Sequence, residues 1–344
     1  MARHVPTLTR WGRALRRGDL VEVRSAEEIL ATLDPSGCLD GVPFMPEMLS
    51  HLGGRFTVEA RVERACDTIG KSGSRRMPNT VMLDDLRCDG AAHGGCQAGC
   101  RLYWKEAWLR RVEPGTVPSS AAGAAGALER LARLAQEAAR VAGGDREVYR
   151  CQATEFVRAT VPLGWWDLRS FCREVACGNV GALRLVRVVA RALYEEAQRR
   201  LRLWRDPSLP RTPAPHPGTP VGLEPGDVVR VRSRGEILGT LDLRGKNRGL
   251  RFDREMLPYC GQTRRVARRV ERFIDEASGE LVELKSDCVV LDGVVCRGFL
   301  SYGRWFCPRA ISPWWREAWL EPVARGELQA DDVGERQHAG ERGG

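Results

Sequence analysis

Two stretches of the chain alternate apolar and polar residues directly after a Gly-Asp pair: "GDLVEVRS" begins at Gly18 and "GDVVRVRS" at Gly226. Such a period of two is typical of a β-strand that buries one face. The segments "RFTVEARVERA" and "RRVARRVERFI" alternate in the same way. Short helical turns are predicted around "EEILATLD". The pattern therefore predicts short strands in both the N-terminal and the C-terminal part of the chain.

These two parts are similar in sequence. Residues 18–34 and 226–242 are identical at twelve of seventeen positions, at an offset of 208. The offset persists to Cys88 and Cys296 and becomes 211 from Cys96 and Cys307 onward. A constant offset of this kind indicates one domain present twice, over 17–115 (the first copy) and 225–323 (the second copy).

The segment between the two copies has a different pattern. Residues 119–144 and 181–206 space their apolar residues at i, i+3 and i+4, which predicts amphipathic helices, and "REVYRCQATEFVRAT" is also predicted to be helical. This helical insert spans 119–206. A proline-rich linker follows over 207–224, and flexible ends are predicted at 1–16 and 324–344.

Four or five short strands in about 100 residues predict a small barrel for each copy. The opening pattern "GDxVxVRS" resembles the first strand of SH3-like barrels. The predicted fold class is thus α+β, with two duplicated SH3-like β-barrel domains flanking the helical insert.

Composition and charge limit the environment of the protein. The formal net charge is +9, but only four of the 54 basic residues are lysines, and the arginines alternate with acids. That usage is typical of a GC-rich genome, so a nucleic-acid partner stays open without being favoured. No apolar run approaches the ~20 residues of a membrane span, and no secretory signal is present. Twelve cysteines in such a chain predict a reducing, cytoplasmic location, where clustered thiols are often metal ligands.

The strongest chemical signal is a cluster of four potential metal ligands within "RCDGAAHGGCQAGC". Cys88, His93, Cys96 and Cys100 offer three thiolates and one imidazole, a set that suits tetrahedral Zn²⁺. The glycine-rich spacers let the backbone curl around an ion. Cys66 is a fifth candidate, which would replace His93 as ligand. The alternative is that these are ordinary buried cysteines beside a surface histidine.

The second copy lacks most of this set. Three candidate ligands are lost there together, since Cys66, His93 and Cys100 correspond to Ile274, a position near Arg304, and Ile311. Joint loss is expected of residues that worked as one site. A rebuilt site is the alternative for the second copy, formed by Cys260, Cys288, Cys296 and Cys307.

Two resemblances follow from these motifs. The block "RRMPNTVMLDDLRCDGAAHGGCQAGCRLYWKEAWL" resembles a family of uncharacterised bacterial proteins, and the similarity extends to "YRCQATEFVRAT". It implies a bacterial cytosolic protein with no established activity. "CDGAAH" is similar to the CDGSH iron–sulfur motif, although the spacing from Cys88 to His93 is one residue longer and the upstream cysteine pair of that family is absent.

The functional prediction is a metal-binding, non-catalytic accessory or interaction protein with an unknown protein partner. Zinc is the expected occupant, with an iron–sulfur cluster as the alternative, because three cysteines and a histidine suit both. The sequence contains no nucleophile elbow, Walker loop or dinucleotide-binding glycine motif, so catalysis is not expected. Two alternative functions stay open: an iron–sulfur redox or sensor protein of a bacterial biosynthetic pathway, and a nucleic-acid-binding regulator.

Overall fold

The computed structural model describes residues 14–70, 73–113, 125–141, 147–164, 167–214, 216–285, 287–301 and 304–323. The chain forms two compact units. The first unit comprises Met1–Arg191, Ile274–Leu281 and Tyr302–Arg309, and the second comprises Ala192–Phe273, Val282–Ser301 and Ala310–Gly344. Two short segments of the second copy therefore belong to the first unit. The predicted flexible arm (except 14–16), the start of the helical insert (119–124) and the predicted tail lie outside the described residues.

Twelve strands of the described residues precede the linker: β1 Leu20–Val23, β2 Cys38–Leu39, β3 Val42–Pro43, β4 Arg55–Arg61, β5 Ala65–Cys66, β6 Ser74–Arg76, β7 Thr80–Leu83, β8 Trp104–Lys105, β9 Leu109–Arg111, β10 Arg140–Val141, β11 Val148–Tyr149 and β12 Val161–Pro162. The later strands are β13 Val228–Val231, β14 Lys246–Asn247, β15 Leu250–Arg251, β16 Thr263–Arg269, β17 Arg272–Ile274, β18 Leu281–Glu283, β19 Cys288–Leu291, β20 Trp315–Arg316 and β21 Leu320–Pro322. The α-helices are α1 Ala26–Leu30, α2 Ala125–Ala139, α3 Leu168–Ala176, α4 Ala182–Arg200 and α5 Arg234–Leu238. Single 3-10 turns lie at Pro46–His51, Glu106–Trp108, Arg254–Tyr259 and Glu317–Trp319.

The main sheet of the first unit has five antiparallel strands in the order β8-β7-β4-β1-β9. β1 forms where the alternating pattern predicts a strand, and Val21 pairs with Phe56 on one side and Arg111 on the other. Val21 is fully buried, as are Trp104 and Trp108. Burial of each large apolar side chain contributes about 1.5–3 kcal/mol, so these residues form the hydrophobic core on which the functional loops rest.

The main sheet of the second unit has the corresponding order, β20-β19-β16-β13-β21. Its strand pairings correspond to those of the first unit. Val229, which corresponds to Val21, pairs with Arg264 and with Pro322, the positions that correspond to Phe56 and Arg111. Its core likewise contains two fully buried tryptophans, Trp315 and Trp319.

One buried hydrogen bond has the same geometry in both units. The indole nitrogen of Trp108 donates to Thr32 Oγ1 at 3.0 Å, and that of Trp319 donates to Thr240 Oγ1 at 2.9 Å. Both threonines follow a short helix that begins with a Ser–Glu capping box. Equivalent sequence positions therefore form equivalent contacts.

The fold class is mixed α and β, with several small antiparallel sheets. Over the described residues no sheet closes into a barrel, because each five-stranded sheet ends in two different edge strands. The SH3-like character of the copies stays a prediction.

The segment between the copies contains helices α2, α3 and α4, but the predicted helix around "QATEFVRA" is wrong. Residues 152–159 form consecutive turns instead. The physical reason lies in tertiary hydrogen bonds that helix propensity does not include. The amide of Gln152 accepts from Tyr103 N at 2.7 Å and donates to Tyr103 O at 2.9 Å and to Pro43 O at 3.0 Å. These bonds anchor the start of the segment to the first copy.

A buried carboxyl group on α3 gives the first unit a pH-dependent stability. Glu174 is fully buried, and only one of its oxygens has a hydrogen bond among the described residues, from Asn179 Nδ2 at 2.8 Å. Burial raises the pKa of Glu174 to about 8, although Asn179 and Arg64 act in the opposite direction.

We expect the first unit to lose stability as the pH rises from about 4.5 towards about 8. In that window the folded protein keeps a proton on Glu174 that the unfolded chain releases. The free energy of unfolding therefore falls with rising pH, by on the order of a few kcal/mol. Glu174→Gln should remove this dependence, since the amide is neutral throughout. Denaturant unfolding of both proteins at pH 5 and pH 9 measures the difference. Equal pH dependence in the two proteins would contradict the assignment.

Candidate metal centre

The cysteine loop, residues 87–101, is a closed loop between β7 and β8. An antiparallel bridge joins Arg87 and Arg101, and Cys88 N donates to Cys100 O at 2.8 Å. Inside the loop, His93 N donates to Gly90 O at 2.9 Å and Cys96 N donates to His93 O at 3.1 Å. These backbone bonds fix the positions of the cysteines without a regular helix or strand.

Glycine is required at position 90 of this loop. Gly90 has a φ of 73°, in the left-handed region, and a Cβ atom there would lie 2.0 Å from the backbone oxygen of Cys96. Such a contact is far inside van der Waals distance, so only the absence of a side chain lets the two halves of the loop meet. The glycine-rich spacers of the motif thus serve to bring Cys88 and Cys96 onto one turn.

A fourth cysteine lies close to three cysteines of the loop. Cys151 follows β11, in which the ring of Tyr149 lies 6.2 Å from the ring of His93 in the loop, measured between centroids. The thiols interact electrostatically: Cys151 and Cys96 raise the pKa of Cys100, and Cys100 and Cys151 raise that of Cys88. Cys96 also raises the pKa of Cys151. The residues on either side of Cys151 are bonded at the loop, since Arg150 O lies 3.2 Å from His93 Nε2 and Gln152 Oε1 accepts from Tyr103 N at 2.7 Å, so Cys151 lies beside the cysteine loop.

These thiols share a distinctive environment. Burial is the largest influence on three of them, raising the pKa of Cys100 to about 12, that of Cys151 to about 11, and that of Cys88 strongly upward. All four nevertheless keep part of their surface accessible. Without an ion, Cys88, Cys100 and Cys151 are therefore favoured as neutral thiols, whereas a bound metal would deprotonate them, since a coordinating thiol is held as the thiolate.

The ring of His93 is held by hydrogen bonds on both sides. Its Nδ1 lies 2.7 Å from Glu47 Oε1, its Nε2 lies 3.2 Å from the backbone oxygen of Arg150, and the residue is 1% exposed. Burial raises the pKa of Glu47, but the hydrogen bond and charge of His93 offset this and leave that pKa lowered. His93 thus connects the cysteine loop to the residue that precedes Cys151.

Glu47 forms a second small group with the loop. Ligand atoms of Glu47, Cys88 and His93 all lie within 4.8 Å of one another. Glu47 Oε1 also accepts from Ala92 N at 3.3 Å and from the Cys88 thiol at 3.6 Å. Its other oxygen is buried and has no hydrogen-bond partner among the described residues.

Cys66, the fifth predicted ligand, has a different neighbour. It lies at the end of β5, is 2% exposed, and donates its backbone N to Cys307 Sγ at 3.1 Å. Cys307 lies in the segment Tyr302–Arg309 and belongs to the same unit. We call Cys66 and Cys307 the thiol pair.

Two residues of this region, Cys151 and Glu47, were not among the metal ligands predicted from the sequence. Cys151 had one signal, because it lies in "YRCQATEF", a segment to which the family resemblance extends. Glu47 had none, since a glutamate in a 3-10 turn is common. The rebuilt second site was predicted to include Cys307, which the structure places beside Cys66 instead.

In the second unit, the position equivalent to Cys88 keeps its backbone geometry. Cys296 N donates to Ile311 O at 2.8 Å, as Cys88 N does to Cys100 O. The thiol of Cys288 accepts a hydrogen bond from Arg316 Nη1 at 3.2 Å. Among the described residues, no group of three ligand atoms within 4.8 Å includes Cys260, Cys288 or Cys296.

Comparisons with known proteins give no relative for this chain: no family model, no curated protein and no solved structure matches it. In the described part of the chain, no helix is long and apolar enough to cross a membrane.

Proposed function

We propose that the first unit binds an iron–sulfur cluster through the thiolates of Cys88, Cys96, Cys100 and Cys151, and that the protein acts in redox chemistry or redox sensing. The observation on which this depends is the position of Cys151 beside the cysteine loop, between Arg150, whose carbonyl lies 3.2 Å from His93 Nε2, and Gln152, which is bonded to Tyr103. Four cysteine thiolates are the usual ligand set of [2Fe–2S] and [4Fe–4S] clusters. With Cys151 as the fourth ligand, His93 is a supporting residue.

The spacing of the thiols favours a cluster over a single ion. A zinc ion with Zn–S bonds of ~2.3 Å holds its four sulfurs about 3.8 Å apart. In the described chain the compact ligand group within 4.8 Å is Glu47, Cys88 and His93, and no three of the four cysteines form such a group. A cubane cluster binds each thiolate through a different iron and so accommodates sulfurs that lie farther apart.

The surrounding charges and hydrogen bonds also suit an anionic cluster. Burial raises the pKa of Cys100, and the positive charge of Arg309 acts in the opposite direction. Burial likewise raises the pKa of Cys88, against which a backbone hydrogen bond from Gly90 acts. Positive charge and N–H donors at the sulfurs are means by which proteins set the reduction potential of a cluster. The cluster would supply one-electron redox chemistry, and these groups would adjust its potential.

We further propose that both units derive from one duplicated SH3-like domain, of which the second has lost the site. Support comes from the corresponding strand orders and from the tryptophan–threonine bonds at equivalent positions. Cys100 corresponds to Ile311, and nothing in the second unit replaces its thiol at that position. One metal centre per chain is therefore expected.

The test is metal and sulfide analysis of the full chain purified without oxygen. We expect a brown protein with about four iron and four sulfide per chain, and visible absorption that bleaches on reduction. A colourless protein with one zinc per chain would overturn the cluster and support the zinc-binding accessory function instead. A protein that binds neither iron nor zinc, even after anaerobic reconstitution, would overturn both.

A further inference from the structure

The thiol pair lies outside the proposed cluster ligands, and its two cysteines are 241 positions apart in the chain. Cys66 N donates to Cys307 Sγ at 3.1 Å, and the two thiols hydrogen-bond to each other. Both side chains are buried, at 2% and 7% exposure. A separation of 3.1 Å between the backbone N of one cysteine and the sulfur of the other makes this pair a candidate for a disulfide.

Three arginines surround this pair. Arg309 is buried, and its Nη1 donates to Cys66 O at 3.1 Å. Arg304 also lowers the pKa of Cys66, and Arg64 interacts with the charge of Cys307. Positive charge stabilises a thiolate, which is the nucleophilic form of cysteine.

The hydrogen bonds and charges around Cys66 favour its thiolate. The hydrogen bond donated by Cys307 is the largest influence on Cys66 and, with the arginines, lowers its pKa to about 6 in spite of burial. By contrast, burial raises the pKa of Cys177, another buried thiol of the first unit, to about 11. Because Arg309 is also bonded to its backbone oxygen at 3.1 Å, Cys66 is the cysteine that we assign as the nucleophile, and Cys307 is the thiol beside it.

We propose that Cys66 and Cys307 form a redox-active dithiol that is oxidised to a disulfide by a hydroperoxide. This site goes beyond the proposed cluster and does not depend on it. A hydroperoxide is the favoured oxidant because both sulfurs are buried, so a bulky disulfide or a protein partner has no access, whereas hydrogen peroxide is close to water in size.

The reaction has two balanced steps. The Cys66 thiolate attacks one oxygen of hydrogen peroxide, the O–O bond breaks, and the sulfenic acid of Cys66 forms while hydroxide leaves and takes up a proton to give water. The Cys307 thiol then attacks the Cys66 sulfur. The S–S bond forms, the S–O bond breaks, and the leaving hydroxide combines with the Cys307 proton as a second water. The dithiol loses two electrons, which reduce the peroxide.

The experiment uses the full chain, purified without oxygen and treated with one equivalent of hydrogen peroxide. Remaining thiols are alkylated, and peptide mapping by mass spectrometry follows each cysteine with time. We expect a Cys66–Cys307 linked peptide that forms at least roughly tenfold faster than Cys177 is oxidised, since Cys177 is equally buried but protonated. Reduction with dithiothreitol should restore both thiols.

Two variants separate the steps. Cys307→Ser should trap the sulfenic acid on Cys66, which a dimedone probe labels, and Cys66→Ser should leave Cys307 unoxidised on the same timescale. The proposal is wrong if wild-type Cys66 stays fully alkylatable under peroxide, or if it is linked to another cysteine instead. Visible absorption, recorded in parallel, reports the state of any cluster, so failure of the dithiol and failure of the cluster are distinguishable.

Discussion

Replacement of Cys151 by serine is expected to remove the iron from the first unit. Wild-type protein should hold about four iron per chain and Cys151→Ser less than about one, because an assembled cluster needs all four thiolates and a serine hydroxyl is a poor ligand for iron. The first unit should also lose stability. The cysteine loop has few large apolar residues, so binding of the proposed cluster would supply much of its folding free energy. Anaerobic iron analysis and thermal unfolding measure both effects.

Cys177→Ser is the matched control, since Cys177 is also a buried thiol of the first unit. Its thiol donates to the backbone oxygen of Glu174 at 3.5 Å, a hydrogen bond that a serine hydroxyl can replace. This variant should keep its iron. His93→Ala completes the comparison: it should keep most of the iron and lose stability, because its loss leaves Glu47 buried without its main partner. Iron retained in Cys151→Ser and lost in His93→Ala would assign the fourth ligand to His93.

The local part of the candidate site is the part that the sequence can indicate. Cys88, Cys96 and Cys100 lie within thirteen positions, and glycine-rich spacers can bring such neighbours together by backbone conformation alone. The strand around Val21 is confirmed, because its alternation depends only on residues close in the chain. Both predictions follow from local physical chemistry.

The position of Cys151 and the pairing of Cys66 with Cys307 depend on tertiary structure. Cys151 reaches the cysteine loop because Gln152 is bonded to Tyr103 and Pro43, and no local pattern in the sequence indicates those bonds. The pairing of Cys66 with Cys307 requires a segment of the second copy to pack in the first unit. In both cases the chain separation is large, and any cysteine of the protein would have been an equally acceptable partner from composition alone.

His93 shows why residue type is an incomplete guide. Histidine near cysteines suggests a ligand, and the CDGSH-like spelling of "CDGAAH" strengthens that suggestion. In the structure both ring nitrogens have hydrogen-bond partners, Glu47 and the Arg150 carbonyl. The carboxylate of Glu47 occupies Nδ1 of the ring, and no pattern in the sequence indicates that Glu47 lies there. The proposed function accordingly assigns His93 to the support of the loop.

Substitution of Gly90 by alanine is the second large effect that we expect. The new Cβ would lie 2.0 Å from Cys96 O and 2.7 Å from Cys96 N, which are backbone atoms that cannot rotate away. The cysteine loop must therefore open, which separates Cys88 from Cys96 and disturbs the hydrogen bond from Gly90 that lowers the pKa of Cys88. We expect the loss of roughly 3 kcal/mol or more from the unfolding free energy, at the upper end for a single substitution, together with loss of iron.

Gly18→Ala is the control that separates the steric clash from the cost of the backbone conformation. Gly18 has a φ of 88°, also in the left-handed region, but a Cβ atom there would have nothing within 4 Å. Its substitution should therefore cost only the conformational strain of about 1–2 kcal/mol and leave the iron content unchanged. Denaturant unfolding and iron analysis of the two variants, side by side with wild type, give the comparison. If Gly90→Ala matched Gly18→Ala in both measurements, close contact between the two halves of the cysteine loop would not be what assembles the metal centre.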